Sequence, residues 1–125
     1  MNGKRILIVE DEPLLRDFLC SIIEDAGGTP VSVERAEEAL QILRQQKWDM
    51  LITDVRTPGE LDGWDLAWAA HDYRPDLPVI VNSGWSNRFD AALPPTASFV
   101  EKPWAVEHML SMVEQMLGAQ RPVLK

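Results

Sequence analysis

Five short apolar runs limit what this chain can fold into. They are Arg5-Ile6-Leu7-Ile8-Val9, Pro30-Val31-Ser32-Val33, Met50-Leu51-Ile52-Thr53, Val79-Ile80-Val81 and Ala97 to Val100. Each is too short for a helix, and most are rich in β-branched residues. Runs that stay apolar at successive positions suit strands buried on both faces, as in a parallel sheet. Helix-spaced residues fill the intervals. Leu15, Phe18, Leu19, Ile22, Ile23 and Ala26 form a first stripe, closed by Gly27-Gly28. Ala36, Ala39, Leu40 and Leu43 mark a second helix. Asp62 is placed to cap a third, carrying Trp64, Leu66, Ala67 and Ala70. Asn87 to Leu93 is a weak segment cut off by Pro94-Pro95, and it predicts one or two helical turns at most. Val106, Met109, Leu110, Val113, Met116 and Leu117 form a last helix ending at Gly118. Strands alternating with helices predict an α/β fold, a parallel sheet covered on both faces.

The 125 residues suit one domain, large enough to fold without a disulfide or structural metal. The single cysteine, Cys20, sits in an apolar helical stretch and reads as a buried structural thiol. The formal net charge of −8 argues against a nucleic-acid surface and against adhesion to anionic lipid. It suits a site that collects cations. The N-terminal residues lead straight into a strand and show no signal peptide, and no apolar stretch approaches the roughly 20 residues that span a bilayer. A cytoplasmic location is expected.

In an open α/β sheet, ligands bind beyond the carboxyl ends of the strands. Glu10 and Asp11 follow the first strand, Asp54 the third, Ser83 the fourth and Lys102 the fifth. Taken singly, each has an ordinary explanation as a helix cap or a solvated loop charge. Taken together, they put three carboxylates, a hydroxyl and an ammonium on one rim. Two carboxylates about 4 Å apart repel by roughly 4 kcal/mol at an effective dielectric of 20. Three would resist folding unless a cation sat among them. Hard oxygen ligands in small number suit Mg²⁺. A carboxylate can attack phosphorus, and the ion, a Lys and a hydroxyl would neutralise the phosphoryl oxygens.

The segments Ile8-Val9-Glu10-Asp11-Glu12, Thr53-Asp54 with Pro58 and Asp62-Gly63, Asn82-Ser83-Gly84 and Phe99-Val100-Glu101-Lys102-Pro103 resemble the receiver domain of bacterial two-component response regulators, of the chemotaxis-receiver type. The likeness runs from about residue 4 to residue 118, leaving 119–125 as a short tail with no effector domain. It implies a flavodoxin-like three-layer sandwich, with a five-stranded parallel sheet in the order 2-1-3-4-5 and five helices, the fourth shortened or irregular. It implies that Asp54 accepts a phosphoryl group from a histidine kinase or histidine phosphotransfer protein, switching contacts with a downstream protein. Asp11 resembles a direct Mg²⁺ (or Mn²⁺) ligand and Glu10 its neighbour acting mostly through water, with Asp54 and the backbone carbonyl of Arg56 completing the set. Ser83 stands at the switch hydroxyl, Lys102 at the lysine that pairs with the phosphoryl group and Phe99 at the aromatic switch position. The Lys102–Pro103 bond is expected to be cis. A receiver of this kind is not an enzyme beyond Mg²⁺-dependent self-phosphorylation and autodephosphorylation. It would work as a monomer or weak homodimer, without direct contact to nucleic acid or membrane.

Several features depart from the family pattern. The stretch from Pro58 to Asp62-Gly63 is one residue longer than in many receivers, and Ser83 to Lys102 about three residues shorter. Phe99 replaces the more usual Tyr and has no hydroxyl. The resemblance places Trp85, two residues beyond Ser83, over the phosphoryl group, where it would hinder the hydrolytic water and prolong the phosphorylated state; the alternative is a surface residue of the loop. His71 and His108 lack metal-ligand spacing and read as surface residues, and Trp104 as packing against the last helix.

Other readings compete. An aspartate-nucleophile phosphatase wants a second acid two residues after its nucleophile, where Arg56 stands. A flavodoxin-like cofactor binder wants Ser, Thr and Gly after the first strand, where Glu10-Asp11-Glu12 would repel a phosphate. A degenerate pseudo-receiver, acting as a phosphorylation-independent interaction module, stays open as the alternative. So does the choice between a stand-alone receiver, mildly favoured by the start at Met1, and a piece of a longer chain.

Overall fold

The computed structural model describes residues 1–84 and 92–119. The strands are β1 (Arg5–Val9), β2 (Thr29–Val33), β3 (Met50–Asp54), β4 (Val79–Ser83) and β5 (Ala97–Glu101). The helices are α1 (Pro13–Asp25), α2 (Ala36–Gln45), α3 (Gly63–Tyr73) and α4 (Val106–Ala119). All neighbouring strands pair in parallel, in the order β2-β1-β3-β4-β5.

Successive side chains of a strand point to opposite faces, and both faces are covered here. Leu7, Val9, Leu51, Val79 and Val81 pack against Ala36, Ala39 and Leu43 of α2 and Leu66, Ala67 and Ala70 of α3. Ile6, Ile8, Met50, Ile52 and Ile80 pack on the other face against Leu19 and Ile23 of α1 and Met109, Val113 and Leu117 of α4. The central strands β3 and β4 are buried at every position, which is why their sequences lack polar–apolar alternation.

Local chemistry sets the helix starts. Pro13 occupies the first turn of α1, where its missing N–H costs nothing, and the Glu12 carboxylate accepts from Leu14 N (3.2 Å) and Leu15 N (2.8 Å). Asp62 caps α3 in a reciprocal box with Asp65. Gly27 adopts φ +94°, beyond the reach of most side chains, just after α1.

Four helices, not five, stand among the described residues. The expected fourth begins at Asn87, and residues 85–91, Trp85 among them, lie outside the described residues, as do residues 120–125. From Ala92 to Thr96 the backbone is not helical. Pro94 and Pro95 lack backbone donors there, and the pyrrolidine rings disfavour helix in the residues before them. The last helix passes Gly118 and ends at Ala119. A glycine costs a helix only about 1 kcal/mol, less than the packing of buried Val113 and Leu117 returns. Trp104 stacks on Phe18 of α1 (centroids 6.1 Å, planes 15°) as well as joining the core under α4. His71 is half-buried rather than on the surface, its ring edge-on to Trp68.

Candidate functional site

Parallel pairing brings the carboxyl ends of β1, β3, β4 and β5 side by side. Val9 pairs with Thr53, so Glu10 and Asp54 follow as the next residues of adjacent strands. Asp54 pairs with Asn82, and Ser83 with Glu101. The N–H of Lys102 donates to the Ser83 carbonyl at 2.8 Å, extending the sheet by one bond and fixing where the lysine leaves it. The Lys102–Pro103 peptide is cis.

The lysine side chain returns across the sheet end. Its Nζ lies 3.2 Å from Glu10 Oε1 and 3.3 Å from Asp54 Oδ2. Glu10 is 2% exposed and Asp54 8%, whereas Asp11 is exposed to solvent. Oxygens of Glu10, Asp11 and Asp54 all lie within 4.8 Å of one another. Glu10 Oε2 also accepts the Glu12 N–H at 3.1 Å, which holds its carboxyl in place. Ser83 is buried at the end of the neighbouring strand.

The electrostatics follow from this packing. Burial pushes the Glu10 carboxyl above its usual range, and the Glu12 N–H and Lys102 pull the other way. Burial likewise pushes Asp54 up, against the Lys102 ammonium, and Asp11 adds to the rise. One ammonium does not balance three acids. The cluster offers hard, convergent oxygens, one carboxylate open to solvent and an excess of negative charge. These suit a small divalent cation that keeps some of its water.

Phe99 pairs with Val81 and stacks on Trp64 of α3. Arg56 follows Val55 in the β3–α3 loop with its side chain in solvent.

Two further residues shape the site. A Cβ on Gly63 would lie 2.1 Å from the Asp54 carbonyl oxygen and 2.8 Å from the Val55 Cα. Only glycine lets α3 start against the peptide that carries Asp54, and its N–H donates to the Val55 carbonyl at 2.7 Å. The Asp62-Gly63 motif was the visible signal for it. Glu37, in the first turn of α2, accepts from two N–H groups of the β3–α3 loop, a contact made across 23 residues of sequence that no local pattern announces.

The model of the response regulator receiver domain matches residues 6–114. The chain belongs to that family. This receiver domain is 31% identical to the response regulator receiver protein CpdR of Brucella abortus, over 93% of its own length and 98% of that protein's. Other curated relatives are longer, and the chain spans 25% of one and 52% of another. A receiver protein from Sinorhizobium medicae superposes with a TM-score of 0.86 at 27% identity, covering 95% of this chain and 98% of that one. TrrA of Thermotoga maritima, solved in complex with Mg²⁺-BeF, superposes at 0.82 with 26% identity, covering 90% and 98%. The receiver domain is therefore part of two-component signalling, in which such domains bind Mg²⁺ at an acidic cluster and interact with histidine kinases and downstream effectors. No helix among the described residues is long and apolar enough to cross a membrane.

Proposed function

We propose that this receiver domain accepts a phosphoryl group on Asp54 from a histidine kinase or histidine phosphotransfer protein and thereby switches its contacts with a downstream protein. One observation carries the reading. A buried aspartate at a strand end lies 3.3 Å from a lysine ammonium and shares a 4.8 Å cluster with two other acids.

In the transfer, an Asp54 oxygen bonds to phosphorus as the phosphorus–nitrogen bond of a phosphohistidine breaks, and the bonding pair returns to the imidazole. Lys102 follows the charge from the carboxylate to the phosphoryl oxygens, and the Ser83 hydroxyl donates to one of them. Glu10, Asp11, Asp54 and the Arg56 carbonyl would hold Mg²⁺ or Mn²⁺. The bound cation supplies neutralising charge for the phosphoryl oxygens. The TrrA complex with Mg²⁺-BeF supports that assignment. Phe99 is the aromatic element that responds. No turnover of an external substrate is expected beyond self-phosphorylation and autodephosphorylation.

A protein donor is supported by an apolar patch beside the site. Phe18 of α1, 47% exposed, surrounds with Leu15, Pro103 and Trp104 a cavity of about 190 Å³ that Lys102 also lines, and Leu14 on the same helix is 78% exposed. Contiguous exposed apolar surface of this kind suits a protein contact. The functional unit is the segment 4–118, working in the cytoplasm as a monomer or weak homodimer without direct nucleic-acid contact.

Incubation with acetyl phosphate and Mg²⁺, followed by intact mass measurement, tests the reading. A phosphoryl-sized gain that Asp54→Ala abolishes is expected. No gain from small-molecule or protein donors would leave a phosphorylation-independent interaction module.

A further inference from the structure

The β3–α3 loop carries Arg56 past Asp54 and into α3. Within the loop, the Thr57 hydroxyl donates to the Leu61 carbonyl at 2.7 Å. From outside it is held by Glu37. The Oε2 atom of Glu37 accepts the N–H of Glu60 at 2.8 Å and of Leu61 at 3.1 Å. Its Oε1 is buried with no hydrogen-bond partner among the described residues. Gly59 closes over the carboxylate, where a Cβ would lie 2.8 Å from both oxygens, and its φ of +101° disfavours any other residue. A left-handed glycine followed by two inward N–H groups makes an anion-binding concavity. Here the anion is a side chain of α2, and the N–H groups of Leu61, of Glu37 itself and of Glu60 hold its carboxyl below the usual range.

A loop of eight residues between β3 and α3 has freedom that must be removed if it is to present a fixed oxygen. We propose that Glu37 is a positioning residue for the divalent cation: by anchoring residues 59–61 it fixes the course of the loop that presents the Arg56 carbonyl beside Asp54. The inference rests on the cation-binding reading of Glu10, Asp11 and Asp54. Glu37 touches neither the cation nor the phosphoryl group. Its action is to remove alternative loop conformations before the cation arrives.

The test titrates MgCl₂ into the full chain, followed by calorimetry and tryptophan fluorescence, for wild type, Glu37→Ala, Glu37→Gln and Gly59→Ala. Hydrogen exchange of residues 57–61 and thermal unfolding are measured on the same metal-free samples. Glu37→Ala is expected to speed exchange in the loop and raise the Mg²⁺ Kd about fivefold. Glu37→Gln keeps one accepting oxygen and should fall between it and wild type. Gly59→Ala leaves Glu37 in the chain but displaces its carboxylate, so it should weaken Mg²⁺ similarly, which keeps the test decisive if Glu37→Ala folds poorly. Faster exchange with an unchanged Mg²⁺ Kd would overturn the proposal, since the clamp would then serve the loop alone. Absence of Mg²⁺ binding in wild type would instead overturn the reading of the acidic cluster, and this inference with it.

Discussion

The ring of Phe99 lies against the indole of Trp64, with centroids 6.2 Å apart and planes 11° from parallel. The stack joins β5 directly to α3, the helix that starts one residue after the loop from Asp54. A tyrosine at this position would have a hydroxyl with which to report its state. Phe99 has only its face, so any rotation of the ring must be felt by Trp64. Trp64 is buried and its indole N–H has no partner among the described residues, which leaves its emission sensitive to that neighbour.

Adding beryllofluoride and Mg²⁺, a phosphoryl-shaped anion with its cation, should change tryptophan emission, and Phe99→Ala or Trp64→Phe should remove most of the change. Trp64→Ala, by contrast, should destabilise the fold by about 3–5 kcal/mol in chemical denaturation, because it empties a large site in the core. An emission change that survives both Phe99→Ala and Trp64→Phe would assign the response to another tryptophan.

Without cation, the acidic cluster should oppose folding in a pH-dependent way. Burial raises Glu10 and Asp54 above their unfolded values, so the folded chain holds these protons to higher pH than the unfolded chain does. Stability is then fully present below the ordinary carboxylate range and is lost as pH rises from about 4 through the folded values. Asp54→Asn should flatten that loss and raise the metal-free Tm near neutrality by roughly a few degrees. Mg²⁺ favours the ionised forms, so its stabilisation should grow with pH. Thermal unfolding across pH, with and without Mg²⁺, reads all three effects.

Lys102 should separate cation binding from phosphoryl transfer. Its ammonium is the counter-charge to Glu10 and Asp54 and would compete with a divalent ion for the same oxygens. Lys102→Ala is expected to leave Mg²⁺ affinity unchanged or tighter while slowing phosphorylation by acetyl phosphate roughly 10²-fold, the usual scale for losing one charge-stabilising donor. Fluorescence titration and intact-mass time courses provide the two numbers.

Gly63 should tolerate no side chain. A methyl group 2.1 Å from the Asp54 carbonyl oxygen forces either α3 or the Asp54–Val55 peptide to move. Gly63→Ala should cost about 1–3 kcal/mol in denaturant unfolding and weaken Mg²⁺ binding, because the displaced peptide carries a cluster carboxylate. Gly118→Ala, with no atom of the described residues within 4 Å of its Cβ, is the matched control and should be neutral or mildly stabilising.

The strand ends were legible because burial on both faces writes itself as unbroken apolar runs, and the polar residue that ends each run then marks the rim. That logic reached Glu10 and Asp54 directly, and Ser83 and Lys102 one residue beyond the end of their runs, without knowledge of the sheet order. It stopped short wherever polar residues lie inside the sheet. Asn82 and Ser83 belong to β4, and Glu101 to β5, because pairing continues past the apolar stretch. Contacts made through space left no local trace. The grip of Glu37 on Glu60 and Leu61, and the Phe99–Trp64 stack, join segments that only the folded arrangement of α2, α3 and β5 brings together. The helix expected after Asn87 rested on a weak period beside two prolines, and the described part of that stretch is irregular.

Mapping the modified carboxylate decides whether Asp54 is the phosphoryl acceptor. An acyl phosphate is reduced by borohydride to the alcohol, so a phosphorylated aspartate becomes homoserine and an unmodified one does not. The protein is treated with acetyl phosphate and Mg²⁺, quenched with borohydride, digested and read by tandem mass spectrometry. Homoserine is expected at position 54, dependent on Mg²⁺ and absent in Lys102→Ala at matched early times. Homoserine at Asp11 or another acid with Asp54 intact, or labelling indifferent to Mg²⁺, would contradict that assignment.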